Sequence, residues 1–173
     1  MTLTCYQTLE DQDNADHIEK YGPFLCKRPD TWLGDGYYFW DSNIDWAHDW
    51  GRFYSKNGYV ICSAQVHLDD AVFDLFGNVA HQGIFERAYD ALRGRTHSEI
   101  TVPQVLVAMK KLGTFRYNAI RAFDEPRSVF TLRYNLKGSE QLVIGQRVQI
   151  CLINKNNLLS QTFRIVFPEK YVV

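Results

Sequence analysis

The segment Trp32-Leu33-Gly34-Asp35-Gly36-Tyr37-Tyr38-Phe39-Trp40, followed by Ala47-His48-Asp49-Trp50, decides how this chain is read. Gly34 and Gly36 permit backbone shapes and a closeness of approach that side chains obstruct, so a ligand or another strand can lie against the main chain there. The aromatics that follow supply flat walls. In an extended segment Tyr37 and Phe39 point to one side while Tyr38 and Trp40 point to the other. A planar cationic ring laid on such a wall gains roughly 0.5–2 kcal/mol of cation–π stabilisation.

Outward from this segment the pattern alternates strands and helices. Upstream, Thr4 to Leu9 reads as a β-branched and aromatic strand. Asp11, Asp13 and Asn14 offer caps for an amphipathic helix through Ala15, Ile18 and Tyr21, stopped by Gly22-Pro23. Downstream, Asp41-Ser42-Asn43 can cap a helix running through Ile44, Trp46, Ala47 and Trp50 toward Tyr54, and Asn57-Gly58 marks a turn. Gly58 to Leu68 is first continuously apolar and then alternating, which suits a buried strand. The middle, from Val79 to Leu112, is helical, with Ile84, Phe85, Ala88 and Leu92 on one face and Pro103 where a second helix begins. Tyr117 to Arg121, Val129 to Tyr134, Gln146 to Ile153 and Thr162 to Phe167 are the later strand candidates. No repeat or linker divides the chain, so residues 1–173 read as a single α+β domain with helices inserted in the middle of a strand-rich chain.

A formal net charge of −1 excludes nucleic-acid binding through a broad positive field, because such binding rests on many Lys/Arg–phosphate contacts. The short basic clusters, Lys110-Lys111 with Arg93 and Arg95, and Arg116 with Arg121, read as solvated faces that leave a local contact open. Cys5, Cys26, Cys62 and Cys151 stand singly, without metal-ligand spacing, and are expected as reduced thiols. His17, His48, His67, His81 and His97 are dispersed, so no metal is expected. Ser98-Glu99 and Ser139-Glu140 read as cap or turn residues. The amino-terminal residues lack a basic and apolar leader pattern and no apolar run reaches membrane-spanning length, which gives the expectation of a cytoplasmic protein without a membrane partner.

The block Gly34, Gly36, Tyr38, Phe39, Ala47 and Trp50 resembles the second motif of the ADP-ribosyltransferase fold, where Gly-x-Gly, an aliphatic or aromatic residue and Tyr-Phe lead into a helix carrying a small residue and then an aromatic. Tyr6-Gln7-Thr8 resembles the family's opening motif, with Gln7 in place of the usual His or Arg. Val60 to Ala64 and Phe73 to Leu75 resemble the strand and following loop of small, toxin-like bacterial members, and Arg121 to Pro126 and Val148 to Leu152 resemble their closing strands, so that the likeness spans about residues 4–155. The resemblance implies an ADP-ribosyltransferase-like split β-sheet core with inserted helices, and NAD+ as co-substrate. For the third motif, where relatives place a catalytic Glu, it leaves Glu125, Glu140 and Gln149 open. Glu125 is the best acid because it follows a strand and precedes Pro126, whereas Gln149 is the better match by local pattern.

What the resemblance implies for the site is a set of roles. Tyr38 stacks on nicotinamide, Trp50 or Phe53 closes the other face, Tyr6, Gln7, Thr8 and Gly36 belong to the NAD+ site with Gln7 on the adenosine ribose, and backbone near Thr8 grips the carboxamide. Breaking the N-glycosidic bond builds positive charge on the ribose, so a placed carboxylate lowers the barrier by roughly two to four kcal/mol. The implied activity is transfer of ADP-ribose to a macromolecule, nucleic acid or protein, as in bacterial toxins or phage-defence effectors held by an antitoxin protein. The alternatives are an NAD+ glycohydrolase and a non-catalytic binding module on the same fold.

Overall fold

The computed structural model describes residues 1–95, 99–124, 132–135 and 141–172. Its elements, in order, are β1 (Thr2–Glu10), α1 (Ala15–Tyr21), β2 (Tyr37–Asp41), α2 (Ile44–Tyr54), β3 (Tyr59–His67), β4 (Val72–Asp74), α3 (Val79–Arg93), α4 (Val102–Lys111), β5 (Ala119–Asp124), β6 (Leu132–Asn135), β7 (Gln141–Ile144), β8 (Arg147–Leu152) and β9 (Arg164–Phe167), closed by a short 3-10 turn at Glu169–Tyr171. Seven strands form one mixed sheet in the order β4-β5-β8-β2-β1-β3-β9, and β6 and β7 form a separate hairpin. All neighbours in the large sheet are antiparallel except β4 and β5. Among the described residues this is an α+β protein with four α-helices.

The alternation in β2 distributes the aromatics as the pleat requires. Tyr37 and Phe39 join the core built around Cys5, Ala64 and Ile150 on one face of the sheet. On the other face Tyr38 packs beneath α3 and α4 with Leu33, Leu106 and Cys151, while Trp40 packs beneath α2 with Ala47 and Ile61. The later helix starts carry caps, whereas Asn14, expected to cap α1, makes no side-chain cap bond. Asn43 accepts from the backbone of Asp45 at 2.9 Å, Asn78 accepts from Ala80 and His81, and Thr101 with Gln104 makes a capping box ahead of Pro103. Ala47 is fully buried, and its small side chain lets α2 sit close enough for the Thr8 hydroxyl to donate to the Ala47 carbonyl at 2.9 Å.

Three expectations change. Phe73 and Asp74, read as loop, belong to β4, a strand too short for periodicity to reveal. The hairpin strand β7 was also not foreseen, and the start of the strand expected from Val129 lies outside the described residues. Arg121, read as part of a solvated basic cluster, is instead half-buried in an ion-pair network. Its side chain is 13 % exposed and reaches from β5 past β8 to Asp41 at the end of β2, with Nε donating to Oδ2 at 2.7 Å. Its Nη1 donates to Asp74 at 3.1 Å, and the guanidinium lies 4.8 Å from the centre of the Phe76 ring. Burial opposes the charge of Arg121, but Asp41 and Asp74 outweigh it, and its pKa is raised.

This network joins the ends of β2 and β4 to the middle of β5, and the Asp41 side chain is only 4 % exposed. Arg121→Ala leaves that carboxylate buried without its counter-charge, so unfolding stability falls by about 3–5 kcal/mol, read as a lowered urea midpoint with an unchanged denaturant slope.

Candidate functional site

β1 and β2 pair at Cys5 with Asp41 and at Tyr6 with Trp40, and then part. Where the ladder would continue, the side chain of Gln7 takes its place. Its Nε2 donates to the Tyr38 carbonyl at 3.3 Å and to the Phe24 carbonyl at 3.1 Å, and its Oε1 accepts from the Phe24 amide at 2.9 Å. Gln7 is 5 % exposed, so this amide is a buried polar group with all of these bonds made inside the protein.

A cleft of about 580 Å³ opens at this parting, within the size range of small-molecule sites. Gln7 to Leu9 and Tyr38 to Trp40 line it from the sheet, residues 24–32 form its outer wall, Trp50 closes the α2 side, and Gln149 reaches in from β8. The outer wall is tied at several points. Cys26 exchanges backbone hydrogen bonds with Gly36, Leu33 is fully buried, and Trp32 Nε1 donates to Gln149 Oε1 at 2.7 Å. The Tyr38 hydroxyl accepts from the Leu33 amide at 3.0 Å and donates to the Gly34 carbonyl at 2.8 Å. Gly34 has φ +87°, a conformation that suits glycine and brings its carbonyl round to that hydroxyl.

The lining combines aromatic rings with cations. Tyr38 is a half-buried ring whose hydroxyl stays protonated, because burial, and then the neighbouring Cys151, push its pKa far above the ordinary phenol value. Trp50 stacks on Tyr54 with centroids 4.0 Å apart, and the Arg28 guanidinium sits 5.6 Å from the Trp50 ring while gripping Asp30 through Nε at 2.9 Å. Lys27 adds a second cation to the lining. Among the described lining residues Asp30 is the one acid, and Arg28 holds it, lowering its pKa.

Of the residues singled out from sequence, Gln7, Thr8, Tyr38, Trp50 and Gln149 come together on this cleft. Tyr6, Gly36 and Phe53 are not among the described residues that line it. Tyr6 packs under α2 with Trp40 and Ala47, and Phe53 is 83 % exposed on the outer face of α2. Gly36 lies against β8, where a Cβ would come within 2.4 Å of Cys151 Sγ. Its closeness of approach is therefore taken up by a strand. Glu125 and Glu140 lie outside the described residues. Sequence reasoning gave no role to Trp32, Arg28 or Asp30. The Arg28-x-Asp30 spacing was a local signal, whereas the contact of Trp32 with position 149 had none.

No group of His, Cys, Asp and Glu able to hold a metal occurs among the described residues, and no helix among them is long and apolar enough to cross a membrane. No family model, curated protein or solved structure matches this chain. Fold and site together define an α+β protein with a ligand-sized cleft lined by aromatic rings and by cations.

Two outcomes follow from this geometry. Gln7→Leu removes three hydrogen bonds and leaves the Phe24 amide and two carbonyls without their partner, so stability falls by about 2–3 kcal/mol and proteolysis within residues 24–32 accelerates. The second concerns the thiols. Burial pushes Cys5, Cys62 and Cys151 up to about 12, whereas Cys26 is half-buried on the cleft wall. Because the thiolate is the nucleophile, iodoacetamide at about pH 8 labels Cys26 in the folded protein and the other three only after denaturation, as peptide mass spectrometry reads directly.

Proposed function

We propose that this protein is an NAD+-dependent ADP-ribosyltransferase with the split-sheet core of that fold, transferring ADP-ribose to a nucleic acid or protein. The observation that carries the reading is the meeting of Gln7, Tyr38, Trp50 and Gln149 on one cleft where β1 and β2 part. These residues come from three motifs of the resemblance, up to 142 positions apart, and folding brings the motifs together. The lining also suits the two characters of the dinucleotide. The neutral Tyr38 ring suits the pyridinium, and Arg28 with Lys27 suits the pyrophosphate.

The roles follow from these positions. Tyr38 stacks on nicotinamide, Trp50 bounds the opposite side, and Gln149 orients ribose or acceptor. Gln7 supports the site from beneath, since its amide is already engaged with Phe24 and Tyr38. Glu125 is the proposed carboxylate for the oxocarbenium-like transition state: Ala122, three residues before it, pairs with Gln149. A cytoplasmic toxin or phage-defence effector checked by an antitoxin is the setting we propose. A non-catalytic binding module is the second reading, favoured by one observation: the sole described acid on the cleft is engaged by Arg28.

Incubation of the purified protein with labelled NAD+ and separate RNA, DNA and protein fractions tests both readings. Label entering one fraction supports transfer, free ADP-ribose alone supports a glycohydrolase, and neither product supports the binding module. With transfer active, Tyr38→Ala lowers the rate at least about ten-fold, the loss of roughly one stacked cation. Glu125→Gln lowers it about 30-fold or more. Retained activity in Tyr38→Ala refutes the stacking role.

A further inference from the structure

Trp32 and Gln149 meet through a contact whose chemistry admits a single arrangement. Trp32 Nε1 and Gln149 Oε1 are 2.7 Å apart. An indole N–H only donates, while an amide has one accepting oxygen and one donating nitrogen. The oxygen therefore faces Trp32 and the NH2 group is turned away from it. Gln149 Nε2 makes no hydrogen bond to a described residue, and it is not among the described polar atoms shut away without a partner. Gln149 is a lining residue of the cleft.

Both partners are held independently of each other. The backbone of Gln149 is fixed in the sheet between Trp40 of β2 and Ala122 of β5. Trp32 packs against the core beneath α3 and α4, and the next residue, Leu33, is fully buried with its amide on the Tyr38 hydroxyl. The amide thus meets an indole whose place other contacts have already set.

We propose that Trp32 is a positioning residue that fixes Gln149 as a hydrogen-bond donor to the cleft. This end of the site then selects a ligand oxygen that accepts, such as a carbonyl, an ether or a phosphate oxygen. It also follows that β8 supplies no negative charge here at position 149. The orientation stands on the apo protein alone. Only the identity of the ligand, an oxygen of NAD+, rests on the function proposed above.

The test uses nitrogen-15-labelled full-length protein and NMR. In the unliganded wild type the Trp32 indole proton exchanges slowly and is shielded from a soluble gadolinium chelate, whereas the chelate broadens the Gln149 NH2 pair. Trp32→Phe keeps a ring but removes the donor, and the NH2 pair shifts and exchanges faster. Gln149→Glu keeps the indole proton protected because a carboxylate also accepts, and Gln149→Leu exposes it, which reads the same contact should Trp32→Phe fail to fold. An NH2 pair untouched by the chelate, or unmoved in Trp32→Phe, overturns the proposal. Titration with NAD+ then separates the two claims. Weakening by about ten-fold or more in both Trp32→Phe and Gln149→Glu supports the donor role, and unchanged or tighter binding to Gln149→Glu overturns it. A wild type with the shielded indole and open amide but no NAD+ binding leaves the donor orientation standing and overturns the NAD+ reading.

Discussion

The rest of the molecule depends on one buried amide. Continuing the β1–β2 register past Tyr6 and Trp40 would set Gln7 opposite Phe39, and the sheet would close with no room for a ligand. The strands part instead, which frees backbone groups that must find partners away from water. A primary amide is the one neutral side-chain type that donates twice and accepts at the same reach. Gln7 uses it on two carbonyls and one N–H, across segments 17 and 31 positions away. A carboxylate at this position would face two carbonyl oxygens with no donor, and a guanidinium would leave the Phe24 amide unmet. The cleft exists because pairing stops, and Gln7 satisfies the backbone where it stops.

The consequence passes to the wall. Once Phe24 is held against β1, the chain from Phe24 to Trp32 runs over the parting, and Cys26 pairs with Gly36 just ahead of β2. Gly36 is squeezed between that pair and β8, whose Cys151 sulfur and Leu152 carbonyl leave no space for a Cβ. The Tyr38 hydroxyl then fastens Leu33 and Gly34 from below. The same residue therefore lines the cleft and holds part of its wall. A Tyr38→Phe change would keep the ring and lose the fastening, so the two contributions are separable.

Much of this was legible in the sequence because it rests on local signals. The cap at Asn43, the stop at Gly22-Pro23 and the alternation through β2 act within a few residues and appeared where the pattern placed them, whereas Asn14, expected to cap α1, makes no side-chain cap. What was not legible depends on distant partners. Arg121 looked like a surface cation beside Arg116 because its carboxylates, Asp41 and Asp74, are 80 and 47 positions away. Gln7 looked like a free hydrogen-bonding group for the same reason. The Gly34-x-Gly36 pair was visible as a unit, but its members do different jobs. The first supplies a positive φ for the turn into Tyr38, and the second admits a neighbouring strand.

The electrostatics of the cleft constrain any chemistry done there. A reaction that builds positive charge on a ribose gains from electron-rich surroundings, yet the described lining carries Lys27 and Arg28 as cations and a single acid already held by Arg28. Since burial keeps the Tyr38 hydroxyl protonated, that ring contributes the quadrupole of its face and never a phenolate. Gln149 turns donors toward the cleft while its oxygen is held by Trp32. Stabilisation from the described residues would therefore come from neutral aromatic faces, which act over a wide pH range. Under the proposed mechanism the negative charge has to be brought by another group, either Glu125 or the acceptor itself, and the pH dependence of turnover would report that group in place of Tyr38.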